Sequence, residues 1–158
     1  MPEQVRQVTP PRGWARLAFR LPIWFYHLRL GGLLGKRFLL LTHTGRKSGQ
    51  PRQTVLEVVR YDPDSTTFIV ASGFGEKSDW VRNLRQNPDV TVQCWRQQWD
   101  MVARFLTPQE AGSELLDYSR RHPLAMQELA RFMGYRLDGT REDIESLGRI
   151  LPMVALHG

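Results

Sequence analysis

Six short stretches of this chain read as β-strands, and turn residues separate them in hairpin order. Residues 37–43, RFLLLTH, form an apolar run. Residues 53–61, QTVLEVVRY, are rich in β-branched side chains. Residues 66–72, TTFIVAS, follow the turn Asp62-Pro63-Asp64-Ser65. Val90 to Trp95 and Trp99 to Phe105 alternate across a short polar turn, and 150–156, ILPMVAL, close the chain. Strands in this order predict antiparallel hairpins. With few crossover helices, about six such strands predict a small barrel carrying its helices on the outside. The fold class is mainly β with helices, α+β.

Helical signals lie between and before the strands. Ser78 or Asp79 can cap a helix through Trp80, Val81, Leu84 and Arg85, which Asn87-Pro88-Asp89 stops. Thr107-Pro108-Gln109-Glu110 is a capping box with Pro in the first turn, and opens a helix to about Arg121. Residues 124–134 predict another short helix, and 138–148 a surface loop or helix. Residues 1–11 carry three prolines and read as a flexible tail. Residues 12–158 read as one domain. Its first segment, 12–34, mixes arginines with large apolar side chains. Trp14, Leu17, Ala18 and Leu21 keep helical spacing up to Pro22, and Trp24 to Leu30 continue it. Such a segment packs on the core, covers an apolar substrate pocket as a lid, or lies on a membrane surface.

The chain has 158 residues, enough for one ordinary domain with a buried core. No apolar stretch reaches the roughly 20 residues that span a bilayer, and no secretory signal is visible. The expected location is the cytoplasm, with membrane association through 12–34 as the alternative. Cys94 is the only cysteine, which rules out an internal disulfide and fits a reducing compartment. His27, His43, His122 and His157 are scattered, so no metal site is expected. The net charge of +6 favours anionic partners. Arginine and lysine are spread along the chain without the aromatic interleaving of a nucleic-acid face, so nucleic acid is not an expected partner.

The turn Gly45-Arg46-Lys47-Ser48-Gly49-Gln50-Pro51-Arg52 is the most informative stretch for function. It holds three cations, a hydroxyl and two glycines. Exposed backbone N–H groups in such a turn make an anion-binding concavity, and arginine adds bidentate donors. A solvated hairpin tip is the other reading of the same residues. Ala71-Ser72-Gly73-Phe74-Gly75 ends a strand with glycines that let a flat ligand approach the backbone. Lys77, Trp80 and Asn83 surround the following helix, and Trp80 and Asn83 share a face. No nucleophile–base pair is visible. Chemistry on a bound cofactor requires none, because the cofactor carries the reaction and the protein positions it.

Taken in order, LLLTHTGRKSGQPR, IVASGFG, DWVRNLRQNPDVTVQ, the TPQE helix start and the closing LPMVAL resemble the deazaflavin-dependent nitroreductase family over roughly residues 37–158. The resemblance implies a split β-barrel related to FMN-binding proteins of the pyridoxamine-oxidase-like group, which often pair as homodimers. It implies the deazaflavin coenzyme F-420, a hydride carrier with a phosphate and an oligoglutamate tail. It implies hydride transfer to a conjugated acceptor such as a quinone or nitroaromatic. Arg46, Lys47, Ser48, Gly49 and Arg52 match the tail-binding motif. Ala71, Ser72, Gly73, Phe74 and Gly75 match the cofactor-lining stretch, beside Lys77, Trp80 and Asn83. Tyr118 and Tyr135 fall in the substrate-side segment, where either could donate a hydrogen bond to the acceptor or simply pack. Val55-Leu56 and Lys77-Ser78-Asp79 depart from the family's usual residues near the ring. An FMN-dependent oxidoreductase and a non-catalytic cofactor-binding module are the competing readings.

Overall fold

The structure is a computed structural model and describes residues 3–4, 37–72, 75–132 and 134–158. Eight strands appear among them: β1 (Glu3–Gln4), β2 (Phe38–Thr44), β3 (Pro51–Asp62), β4 (Thr67–Ala71), β5 (Asp89–Cys94), β6 (Gln97–Phe105), β7 (Tyr135–Arg136) and β8 (Met153–His157). Four α-helices lie between them: α1 (Asp79–Gln86), α2 (Pro108–Arg121), α3 (Pro123–Phe132) and α4 (Arg141–Ile150). The N-terminal segment 12–34 lies outside the described residues.

The six long strands close a barrel in the order β2-β3-β4-β8-β6-β5, and every pair is antiparallel. The two hairpins expected from the sequence are both present, β2–β3 and β5–β6. Closure depends on β8, which slots between β4 and β6. The short strands β1 and β7 pair separately through Glu3 with Arg136 and Gln4 with Tyr135.

Alternation explains the two hydrophobic cores. Leu39 and Leu41 on β2, Val70 on β4, Val90 and Val92 on β5, Met101 on β6 and Val154 on β8 fill the barrel interior. Trp80, Val81 and Leu84 of α1 join the same core and plug it from one end. On the other side of the wall, Val59, Ile69, Met153 and Ala155 face Leu115, Leu116, Met126 and Leu147 of the outer helices. β8 is therefore buried on both faces, and an apolar run without alternation is what such a strand requires.

The helix boundaries follow their caps. Thr107 forms the full capping box with Glu110, each side chain satisfying the other's backbone N–H. Thr140 caps α4 through the Asp143 N–H. Helix α4 then continues to Ile150, and Leu151-Pro152 ends it, so β8 begins at Met153 and not at the expected residue 150. Residues 141–150 are helical because Ile144 and Leu147 place an apolar face on the core. Helices α2 and α4 cross at glycines. A Cβ on Gly148 would lie 2.7 Å from the Ala111 carbonyl oxygen and from the Gly112 Cα, so no side chain fits there.

Candidate functional site

The connection between β2 and β3 is closed by its own hydrogen bonds. The Gly45 N–H donates to the Gln50 carbonyl and the Gly49 N–H to the Gly45 carbonyl, each at 2.8 Å. The Gln50 N–H donates to Ser48 Oγ at 3.2 Å. Gly49 has φ of 70°, a left-handed conformation that glycine adopts without strain. The Arg46 N–H leaves the turn and donates to Asn83 Oδ1 on α1 at 3.0 Å. Among the described residues, the backbone N–H groups of Lys47 and Ser48 are left without a partner at the exposed tip. Two successive free N–H groups are the minimal anion nest.

The side chains around this tip are cationic. Lys47 and Arg52 are exposed. Arg52 folds back over the turn, and its Nε would lie 3.5 Å from a Cβ on Gly45. Arg46 is partly buried. Its Nη1 donates to Asn83 Oδ1 at 2.9 Å and approaches Asp79 Oδ1 at 3.4 Å. Arg46 thus braces the turn against α1, while Lys47 is exposed at the tip and Ser48 and Arg52 lie over Gly45.

Beneath the turn lies His43, 5% exposed. Its Nδ1 stands 3.0 Å from the Asn83 amide nitrogen. Burial pushes the imidazole down to about 4, with Asp79 pulling upward and Arg52 pushing further down. At neutral pH it is uncharged. A shallow groove of about 450 Å³ runs beside it, with Thr44, Gly49, Pro51, Asp89 and Asp100 on its walls.

The glycine-bearing segment after β4 is described only at its ends, since Gly73 and Phe74 lie outside the described residues. Ala71 ends β4 half-buried. Ser72 is buried and donates to the Gly75 carbonyl at 2.8 Å. Its oxygen also sits 2.9 Å from Ser78 Oγ. Ser78 occupies the N-cap position of α1 without capping it through its side chain. Its hydroxyl instead ties the segment shut, and Gly75 turns the chain with φ of 69°. Lys77 is exposed on the short 3-10 helix Gly75–Lys77. Trp80 is buried in the barrel core.

The structure gathers Arg46, Lys47, Ser48, Gly49, Arg52 and Asn83 at one rim. Tyr118 and Tyr135 stand elsewhere. Tyr118 on α2 donates to Glu57 at 3.1 Å, five rungs along the β2–β3 ladder from His43. Glu57 lies one residue before the Val58–Val70 rung, so this pair stands beside the end of β4. Burial, and then the Glu57 charge, push the phenol up to about 12. Tyr135 on β7 packs against the outer core. Sequence reading missed His43, whose one visible signal was a histidine placed two residues before the turn. A second groove of about 530 Å³ lies on the outer barrel wall, away from all these residues. There Arg60 with Glu114 and Arg104 with Glu110 close on each other. Among the described residues, no cluster could hold a metal ion.

Comparison with known proteins places this architecture. The family model described as F-420H(2)-dependent quinone reductase matches residues 19–130. The chain belongs to that family. A curated F-420H(2)-dependent quinone reductase of Mycobacterium tuberculosis is 31% identical over 100 residues, 62% of this chain and 63% of that protein. The chain therefore spans less than two thirds of the curated relatives it matches. Among solved structures, an F-420-H2 dependent reductase (FDR-A) superposes with a TM-score of 0.54 at 21% identity. It covers 78% of this chain and 96% of its own. A structure titled a domain-swapped dimer also gives 0.54 at 19% identity, covering 86% and 99%. At these identities the solved structures share the split-barrel fold. The quinone reductase family's matched region takes in the turn, the segment after β4, and α1.

Proposed function

We propose that this chain is a reductase that binds reduced coenzyme F-420 and passes its hydride to a quinone or another conjugated acceptor. The observation that carries the reading is the turn tip. Two unpartnered N–H groups, a free hydroxyl proton, Lys47 and Arg52 belong to one exposed turn of a chain from this family. That donor set fits a phosphate and carboxylate tail. Each charge-assisted bond there is worth more than a neutral one, and basic side chains draw an anionic ligand in. When bound, the reduced deazaflavin supplies the hydride.

The protein's own residues bind and orient. Lys47, Ser48 and Arg52 hold the tail, while Arg46 and Asn83 fix the turn that carries them. The backbone at Ala71, Ser72 and Gly75 would hold the ring. Ser72 and Ser78 keep that backbone in place, since their hydroxyls are engaged with each other. Two copies of the chain pair. Among the described residues, no helix is long and apolar enough to cross a membrane.

Fluorescence titration with the coenzyme tests the reading. Saturable binding in the low micromolar range is expected, followed by quinone-dependent oxidation of the reduced form. Absence of binding at tens of micromolar overturns it. A tightly held yellow flavin in freshly purified protein would transfer the reading to FMN.

A further inference from the structure

The hydrogen-bond chemistry of Asn83 carries an inference about His43. Asn83 Oδ1 faces two groups that can only donate, the Arg46 N–H at 3.0 Å and Arg46 Nη1 at 2.9 Å. Rotating the amide by half a turn would set its NH₂ against both donors. The oxygen must therefore face Arg46, and the amide nitrogen must face His43 Nδ1 at 3.0 Å. A donor on that side requires a lone pair on Nδ1. The imidazole is thereby fixed as the neutral tautomer with its proton on Nε2. Nε2 itself has no hydrogen-bond partner among the described residues.

We propose that His43 is a positioning residue for the anion-binding turn: its Nδ1 lone pair orients the Asn83 amide, which in turn holds the Arg46 backbone and guanidinium. The three side chains form one relay from the barrel interior to the turn tip. Both Asn83 and His43 are more than nine-tenths buried, so water does not readily replace a lost partner. Without the acceptor at Nδ1, the buried amide would lose its partner or turn over. A reversed amide would release Arg46, and the free N–H groups of Lys47 and Ser48 would lose their fixed geometry. His43 touches no ligand in this scheme. It acts through Asn83, and this inference rests on the proposed role of the turn in holding the coenzyme tail.

Two substitutions separate the nitrogens. His43→Asn puts an amide oxygen close to the position of Nδ1 and keeps the acceptor. His43→Gln reaches the position of Nε2 and removes the acceptor at Nδ1. With circular dichroism confirming the fold, His43→Asn is expected to bind coenzyme F-420 within about threefold of the parent. His43→Gln is expected to lose about tenfold in affinity, the usual effect of one uncompensated buried hydrogen bond. In both, kcat at saturating coenzyme stays near the parent value, because only binding is changed. The reverse ranking, or equal losses in the two variants, overturns the proposal. A measurement on the unsubstituted protein needs no ligand: ¹⁵N shifts at pH 7 should show Nε2 protonated and Nδ1 bare, with a slowly exchanging Arg46 amide. A protonated Nδ1 or a fast Arg46 amide overturns the relay even if the coenzyme binds. Failure of the unsubstituted protein to bind the coenzyme, with the expected shifts present, overturns the proposed function and leaves the relay standing.

Discussion

Two buried polar clusters stand on the same β2–β3 ladder and do opposite things. At one end, His43 and Asn83 pass their hydrogen bonds outward to Arg46 and a basic turn. At the other, Tyr118 donates to Glu57, which also faces Arg37 at 3.7 Å. Each cluster buries a titratable ring kept neutral by its surroundings. In the Tyr118 cluster the phenol proton is spent on Glu57 and is not presented to a ligand. The His43 cluster ends in backbone N–H groups that nothing in the described structure uses. A buried polar group therefore marks a ligand site only when its chain of bonds ends at an unsatisfied, exposed group.

The largest expected effect sets the two ends apart by pH. The folded His43 value, about 4, lies below the unfolded 6.5. Protonation thus favours the unfolded chain, and the stability linked to this group is complete above pH 6.5. It is lost as pH falls toward 4, by roughly 3 kcal/mol. Tyr118 is shifted the other way, up to about 12 from 10.0, so its contribution is complete below pH 10 and is lost as pH rises toward 12. Urea unfolding across both windows measures this. A His43→Asn variant should flatten the acid limb and leave the alkaline limb unchanged. An equal acid loss in that variant would assign the titration to another group.

Next in size is Asn83→Leu. It keeps the volume near the α1 core but removes the acceptor for two Arg46 donors. Leaving a partly buried N–H and a guanidinium nitrogen unpaired costs about 2 kcal/mol. Coenzyme affinity should fall about thirtyfold by fluorescence titration, a conversion at 1.4 kcal/mol per decade. Affinity within threefold of the parent would show that the turn holds its shape without α1.

The sequence showed the hairpins well and the relay poorly. Alternation at Val90–Phe105 and the apolar run ending at His43 are local signals, and local pairing realised both. The place of β8 was not local. ILPMVAL is apolar on both faces and announces burial without saying which strands flank it, and its first residue, Ile150, ended α4 instead. The turn's cations were plain in GRKSGQPR, but the number of its free N–H groups was not. That number depends on Asn83, 37 residues beyond Arg46, and on the internal bonds of Gly45, Gly49 and Gln50. His43 reads as filler in an apolar run until its partner 40 residues away is seen. Trp80 and Asn83 share a helix face by spacing, yet one fills the barrel and the other braces its rim.

A smaller effect is expected at the tip itself. Lys47→Ala and Arg52→Ala each remove one exposed cation, and exposed charges are screened by solvent and salt. Each should weaken coenzyme binding about three- to tenfold at low ionic strength, with little change in thermal stability. Raising the salt concentration should shrink the difference between these variants and the parent. A difference independent of salt would mean that the side chains act by packing and not by charge.

The smallest effect should come from Tyr118→Phe, and it tests the closed cluster directly. The substitution keeps the ring, which packs in the outer core and against His122 with centroids 5.4 Å apart. It deletes the proton donated to Glu57. Glu57 is only half-buried and retains Arg37 nearby, so water can take the vacated position. The loss of one such hydrogen bond costs about 1 kcal/mol of stability. Coenzyme affinity should not change, because no bond leads from this phenol to the turn. The alkaline limb of the stability profile should flatten, since the titrating group is gone. A large fall in quinone reduction with unchanged stability would mean that the phenol leaves Glu57 for the acceptor during the reaction. The two clusters would then be the two ends of one site, with the tail held at His43's end and the acceptor met at Tyr118's.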